Sequence, residues 1–174
     1  MAKRVCPSPE WLKASQVSDI YSVSGCVNDD FGDYIQFEKH NGYWLFNSPS
    51  DIAEVAETAG FDLAETSLFY YEVHPEELDG ESWVRVEPEK SVFTEVIAPK
   101  EARLEGFDVV TVTYGKYPEC SPLSCNSMAA ELPTNSHCLF ATFEDAWDAL
   151  NRDAFKDCEP GPYRIFGVYS TGWT

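Results

Sequence analysis

Residues 66–74, TSLFYYEVH, decide the fold. Phe69, Tyr71 and Val73 alternate with Leu68, Tyr70 and Glu72 at the period of two that a β-strand imposes, and apolar residues in both sets predict a strand covered on both faces at one end. Three further strand-like runs follow at 82–87, 92–98 and 107–114, set apart by Pro75, Asp79-Gly80, Pro88, Pro99 and Gly106. Consecutive strands with short connections pair most economically in antiparallel fashion.

Working outward, residues 20–27 are another strand candidate, and Asn41-Gly42 falls between two aromatic-rich runs in YIQFEKHNGYWLF, the strongest short-range hairpin signal in the chain. Pro9 opens a predicted short helix that carries Trp11 and Leu12 inward. The clearest helix has Ser48 as its cap, Pro49 at its first position and Gly60 as its stop. Ile52, Val55, Ala56 and Ala59 make its core stripe, while Asp51, Glu54 and Glu57 share a neighbouring face. Beyond the strands, residues 124–132 read as a helical stretch closed by Pro133, and FEDAWDALN reads as a helix capped by Thr142. YRIFGVYS is a final strand. The expected fold is α+β: one domain over residues 1–174, with a mostly antiparallel sheet of about six to eight strands and two or three packed helices.

Hydrophobic residues make up 44% of the 174, so the chain can bury a sizeable core, and its acidity decorates a folded body. Thirty acidic against 12 basic residues give a formal net charge of -18. Residues 51–101 alone hold 14 acidic residues against Arg85, Lys90 and Lys100. Such a surface repels a phosphate backbone, so direct nucleic-acid binding is not expected; it would steer a basic protein inward. No apolar run nears the roughly 18 residues of a membrane span. MAKRVCPSPEWLK lacks the apolar region and cleavage site of an export signal, so the six cysteines are expected as reduced thiols in the cytoplasm.

ECSPLSCNS, residues 119–127, carries the most suggestive chemistry. A thiolate on Cys125 with His137 as base and Asn126 or Asn135 as orienting group would make a thiol-dependent enzyme. Against it, His137 lies twelve residues on, past Pro133, and Ser-Pro and Ser-Cys-Asn are ordinary turn and cap chemistry. Cys120, Cys125, His137, Cys138 and Cys158 lack the paired two-to-four-residue knuckles of a structural zinc site, so no metal is expected. The acidic turn at 28–34, NDDFGDY, fails the alternating-ligand pattern of a calcium loop. His74 with Glu76 or Glu77 could act as a general base, but a histidine ending a strand before proline reads as a terminator. Walker, dinucleotide, HExxH and GxSxG motifs are absent, and no cofactor is expected.

The leading expectation is an acidic cytoplasmic protein-binding domain that docks a basic partner. Asp51, Glu54 and Glu57 on the helix and Glu76, Glu77, Asp79 and Glu81 after it would form its anionic face, with Trp83 as an aromatic anchor. In size, acidity and lack of an export signal the chain is similar to the small acidic immunity proteins with which bacteria neutralise toxins, often nucleases. The rival expectations are the Cys125 enzyme and a non-catalytic subunit of a larger assembly.

Overall fold

Side chains of the 66–74 run point to both faces of a sheet, and both faces find cover. A computed structural model describes residues 1–26, 41–88, 96–112 and 117–173. Within them the main sheet has five antiparallel strands: β1 (Ala2–Lys3), β4 (Ser67–Asp79), β5 (Ser82–Arg85), β6 (Arg103–Thr111) and β7 (Tyr163–Thr171). A separate ribbon pairs β2 (Cys6–Pro7) with β3 (Asp19–Ile20). The spatial order is β1-β4-β7-β6, with β5 joined to β4, so the last of these strands in the chain lies in the middle.

Neighbouring residues Ile165 and Phe166 of β7 are both buried, which a strand allows only when layers lie on each side. Ile165 and Val109 pack into one layer with Leu12, Leu123, Phe140 and the inner face of helix α3 (Phe143–Asn151). Phe166 and Val168 pack into the other with Phe69, Tyr71, Val110 and Leu139. At about 1.5–3 kcal/mol for each large apolar side chain removed from water, these two layers supply the main drive for folding. The architecture is α+β as expected.

Helix α1 (Pro49–Ala59) begins and ends where local chemistry dictates. The Asp51 N–H donates to Ser48 Oγ at 3.2 Å, and Gly60 stops the helix with φ of 69°. Ile52, Val55 and Ala56 pack on Ala2, Phe46 and Leu68. Ala59, expected in this stripe, is exposed, because the apolar contact ends one turn earlier. The predicted 124–132 stretch divides into α2 (Pro122–Cys125) and a 3-10 turn at Met128–Ala130, because Ser127 between them takes a left-handed conformation (φ 60°).

Two residues expected to separate strands instead lie within them. β4 runs through Pro75, where the β4–β7 register shifts between Val73 and Glu77; a bulge tolerates a residue that has no N–H to donate. β6 begins at Arg103 and runs through Gly106, at a second register shift. Gly106 has φ of 150°, and a Cβ there would lie 2.6 Å from the Phe140 carbonyl oxygen, so glycine lets Phe107 and Phe140 exchange backbone hydrogen bonds of 2.9 Å.

Other expectations are corrected. The 20–27 strand ends at Ile20, because Ser22 and Val23 turn inward to a buried carboxylate. The N-terminal helix is a single 3-10 turn, Glu10–Leu12, which buries Leu12 but leaves Trp11 50% exposed. The first run of the Asn41-Gly42 hairpin lies outside the described residues. Residues 41–45 form a loop closed by Asn41, whose Oδ1 accepts from the N–H groups of Tyr43 and Leu45. Of the 92–98 strand, residues 92–95 lie outside the described residues, and 96–98 are irregular; the acidic turn at 28–34 also lies outside them.

Candidate functional site

The β4–β5 hairpin and α3 meet through stacked indoles. Trp83 of β5 and Trp147 of α3 lie 3.6 Å apart, centroid to centroid, at 9° between planes, and the Trp83 Nε1–H donates to Asn151 Oδ1 at 3.0 Å. Phe143 and His74 complete the cluster, with the imidazole 4.7 Å from the Phe143 ring. Burial among these rings lowers the His74 pKa, while Glu76 draws it back up. Both indoles remain partly exposed.

Exposed carboxylates stand on both elements that supply the indoles: Glu76, Asp79 and Glu81 on the hairpin, and Glu144, Asp145 and Asp148 on α3. Arg85 and Arg152 are the cations beside them in sequence. The acids named from sequence therefore do not form one face. Glu54 and Glu57 are exposed on α1, which packs at the Leu68 end of β4, whereas Glu76 and Asp79 lie at its far end. The step from Leu68 to Glu77 is nine residues of strand, about 30 Å. Asp51 belongs to the helix cap, where its Oδ2 accepts from Ser48 Oγ at 3.0 Å. Glu77 points inward and accepts a 2.6 Å hydrogen bond from Arg164 Nε, in a pair that is almost wholly buried. The α3 carboxylates were not among the acids expected to dock a partner; their signal is present in FEDAWDALN, where Glu144, Asp145 and Asp148 flank the apolar stripe.

The 119–127 stretch folds as a turn leading into the short helix α2. Cys120 is pinned to β6, its N–H donating to Thr111 Oγ1 at 3.3 Å and its carbonyl accepting from the Thr111 N–H at 2.9 Å. Ser121 Oγ donates to Asp108 Oδ1 at 2.6 Å, and the Cys125 N–H donates to the Ser121 carbonyl at 2.8 Å. Cys26, 93 residues before Glu119, joins them: the sulfurs of Cys26, Cys120 and Cys125 all lie within 4.8 Å of one another. Two influences on Cys26 compete. Donation from Cys120 and Cys125 favours its thiolate, whereas its own 2.9 Å contact to the Glu119 carbonyl oxygen needs the proton. Hydrogen bonding within the cluster and burial raise the Cys120 pKa.

Beneath the thiols lies a buried polar interior. Asp108 is wholly inaccessible, and its Oδ2 accepts from Ser22 Oγ at 2.6 Å and the Val23 N–H at 3.1 Å. Burial pushes its pKa up to about 6, against the pull of Ser121, Ser22, the Val23 N–H and Lys3. Lys3, 1% exposed, donates to the carbonyls of Ser24 at 2.6 Å and Val23 at 3.2 Å. These bonds fold residues 22–24 over Asp108 and bring Cys26 to the thiols.

His137 is engaged elsewhere. Its Nδ1 lies 2.5 Å from Asp19 Oδ1, its ring stacks on Tyr21 at 4.1 Å, and its Nε2 is 3.9 Å from Glu105 Oε2. No hydrogen bond joins it to Cys125 among the described residues. Asn135 orients its backbone rather than its ring, accepting the His137 N–H at 2.9 Å, and Asn126 has a buried Oδ1 that accepts no hydrogen bond among the described residues. Cys125 is instead grouped with the thiols of Cys26 and Cys120. The chain has no significant match among protein-family models, curated proteins or solved structures.

Proposed function

We propose that this protein is a non-catalytic binding protein of the cytoplasm that docks a basic protein partner, in the manner of an immunity-type inhibitor of a cationic toxin such as a nuclease. The docking surface is the outer side of the β4–β5 hairpin and α3. The observation that carries the reading is the partly exposed Trp83–Trp147 stack on the two elements that also carry Glu76, Asp79, Glu81, Glu144 and Asp148. Indoles held rigid before binding lose little entropy on contact, and carboxylates around them steer a cation-rich partner. Cytoplasmic placement rests on cysteine usage, with six free thiols.

Affinity capture from the source cell tests this with three baits: the unaltered protein, Glu76→Lys/Asp79→Lys/Glu81→Lys, and Glu54→Lys/Glu57→Lys. The expected result is a basic protein held by the first and third baits, absent from the second, and released by salt as screening shortens the reach of the carboxylates. A partner without excess positive charge, or one held equally by all three baits, overturns the reading.

A further inference from the structure

We infer that Cys26, Cys120 and Cys125 form a binding site for one thiophilic d10 metal ion, zinc(II) or copper(I). Their three sulfurs already lie within 4.8 Å of one another. A metal ion bonded to three thiolates at about 2.3 Å sets those sulfurs about 3.8 Å apart at the base of a tetrahedron and about 4.0 Å apart in a trigonal plane. Closing the group around an ion therefore takes movements of about 1 Å or less, within the reach of small χ1 rotations. Thiolates select soft cations, and a set of three disfavours magnesium and calcium, which take oxygen ligands.

Burial grades across the site in the way an ion needs for entry. Cys120 is buried, Cys125 half-buried and Cys26 exposed, so the group has a closed floor and an open mouth where a water can complete the coordination of zinc. Three separate restraints hold the sulfurs. Thr111 grips Cys120 from β6, the Ser121–Asp108 bond fixes the loop beneath α2, and the turn of residues 22–24 over the same Asp108 carries Cys26 into place. Such supports behind the ligands keep the thiols aimed at a common point. His137, Cys138 and Cys158 are not in this group, and the ligand that completes it is the distant Cys26.

The site is tested on the full chain under a phosphine reductant with cobalt(II) as the spectroscopic stand-in for zinc(II). Sulfur-to-cobalt charge-transfer absorption should rise and saturate at one equivalent per chain, and zinc(II) should abolish it. Chelator competition with zinc(II) and with a cuprous complex then separates the two ions; tighter retention of either supports the site and names its occupant. Cys26→Ser, at an exposed position that leaves the core intact, should lower affinity by about 100-fold or more, the upper end of what loss of a mere supporting group does. Cys6→Ser should leave affinity unchanged. A wild-type chain that gives no charge-transfer band, or a Cys26→Ser chain that binds as tightly as wild type, overturns the inference. Thermal unfolding of the metal-free variants confirms that both are folded before affinities are compared.

Discussion

Helix α1 and the interior around Asp108 put charge to opposite uses. On α1, Glu54 and Glu57 are exposed, and the helix is specified by Ser48, Pro49 and Gly60 at its own ends. In the interior, Lys3, Asp108 and Arg164 are 1%, 0% and 2% exposed, and their partners arrive from segments far apart in the chain. A charge in water contributes little to stability whether present or absent, while a buried one is costly to leave without its partner. The net charge of -18 therefore sums two populations: many carboxylates at the surface, and a few ionic groups that fix the geometry of the core.

Arg164→Ala should break this contrast hardest. It leaves Glu77 facing the interior without the guanidinium, and urea unfolding should show a loss of about 3–5 kcal/mol. A loss under about 1 kcal/mol would put this pair on the same footing as the helix acids.

Asp108 comes next and has a sign as well as a size. Its folded pKa of about 6 stands above the ordinary 3.8, so between about pH 4 and pH 6 the native state holds a proton that the unfolded chain has released. Its contribution to stability is full below about pH 4 and is lost as pH rises through about 6, a change of about 2–3 kcal/mol. Asp108→Asn should remove that slope from a plot of unfolding free energy against pH, and a variant that keeps the slope would assign it to another group.

Smaller effects belong to α1. Ser48→Ala removes the acceptor for the Asp51 N–H and should cost about 1 kcal/mol in thermal or urea unfolding. Glu54→Lys/Glu57→Lys should change stability by less than about 0.5 kcal/mol, which sharpens the contrast from its other end. A large loss there would mean that the helix acids hold structure.

What could be read from sequence followed the reach of the interactions. α1 and α3 were legible because caps, stop and stripe lie within a dozen residues of one another, and the two-sided burial of β4 was legible from alternation alone. Pro75 and Gly106 misled because a bulge inside a strand and a turn between strands ask for the same residues, and only the neighbouring strand distinguishes them. The thiol group escaped for a related reason. Spacing rules see Cys120 and Cys125, but Cys26 reaches them through Ser22, Val23 and Asp108, a route that only the folded chain closes. Likewise Glu76 and Glu77 are neighbours of identical chemistry, and strand pairing with Arg164 alone separates the solvated acid from the buried one.

The central place of β7 has a consequence for how the molecule comes into being. β4 and β6 are translated first, yet neither pairs with the other; each hydrogen-bonds to β7. Until β7 has been made, β4 lacks the partner on one edge and β6 has no strand partner among the described residues, so both segments stay open to mispairing. The sheet becomes whole only once Tyr163–Thr171 is available to pair with both of them.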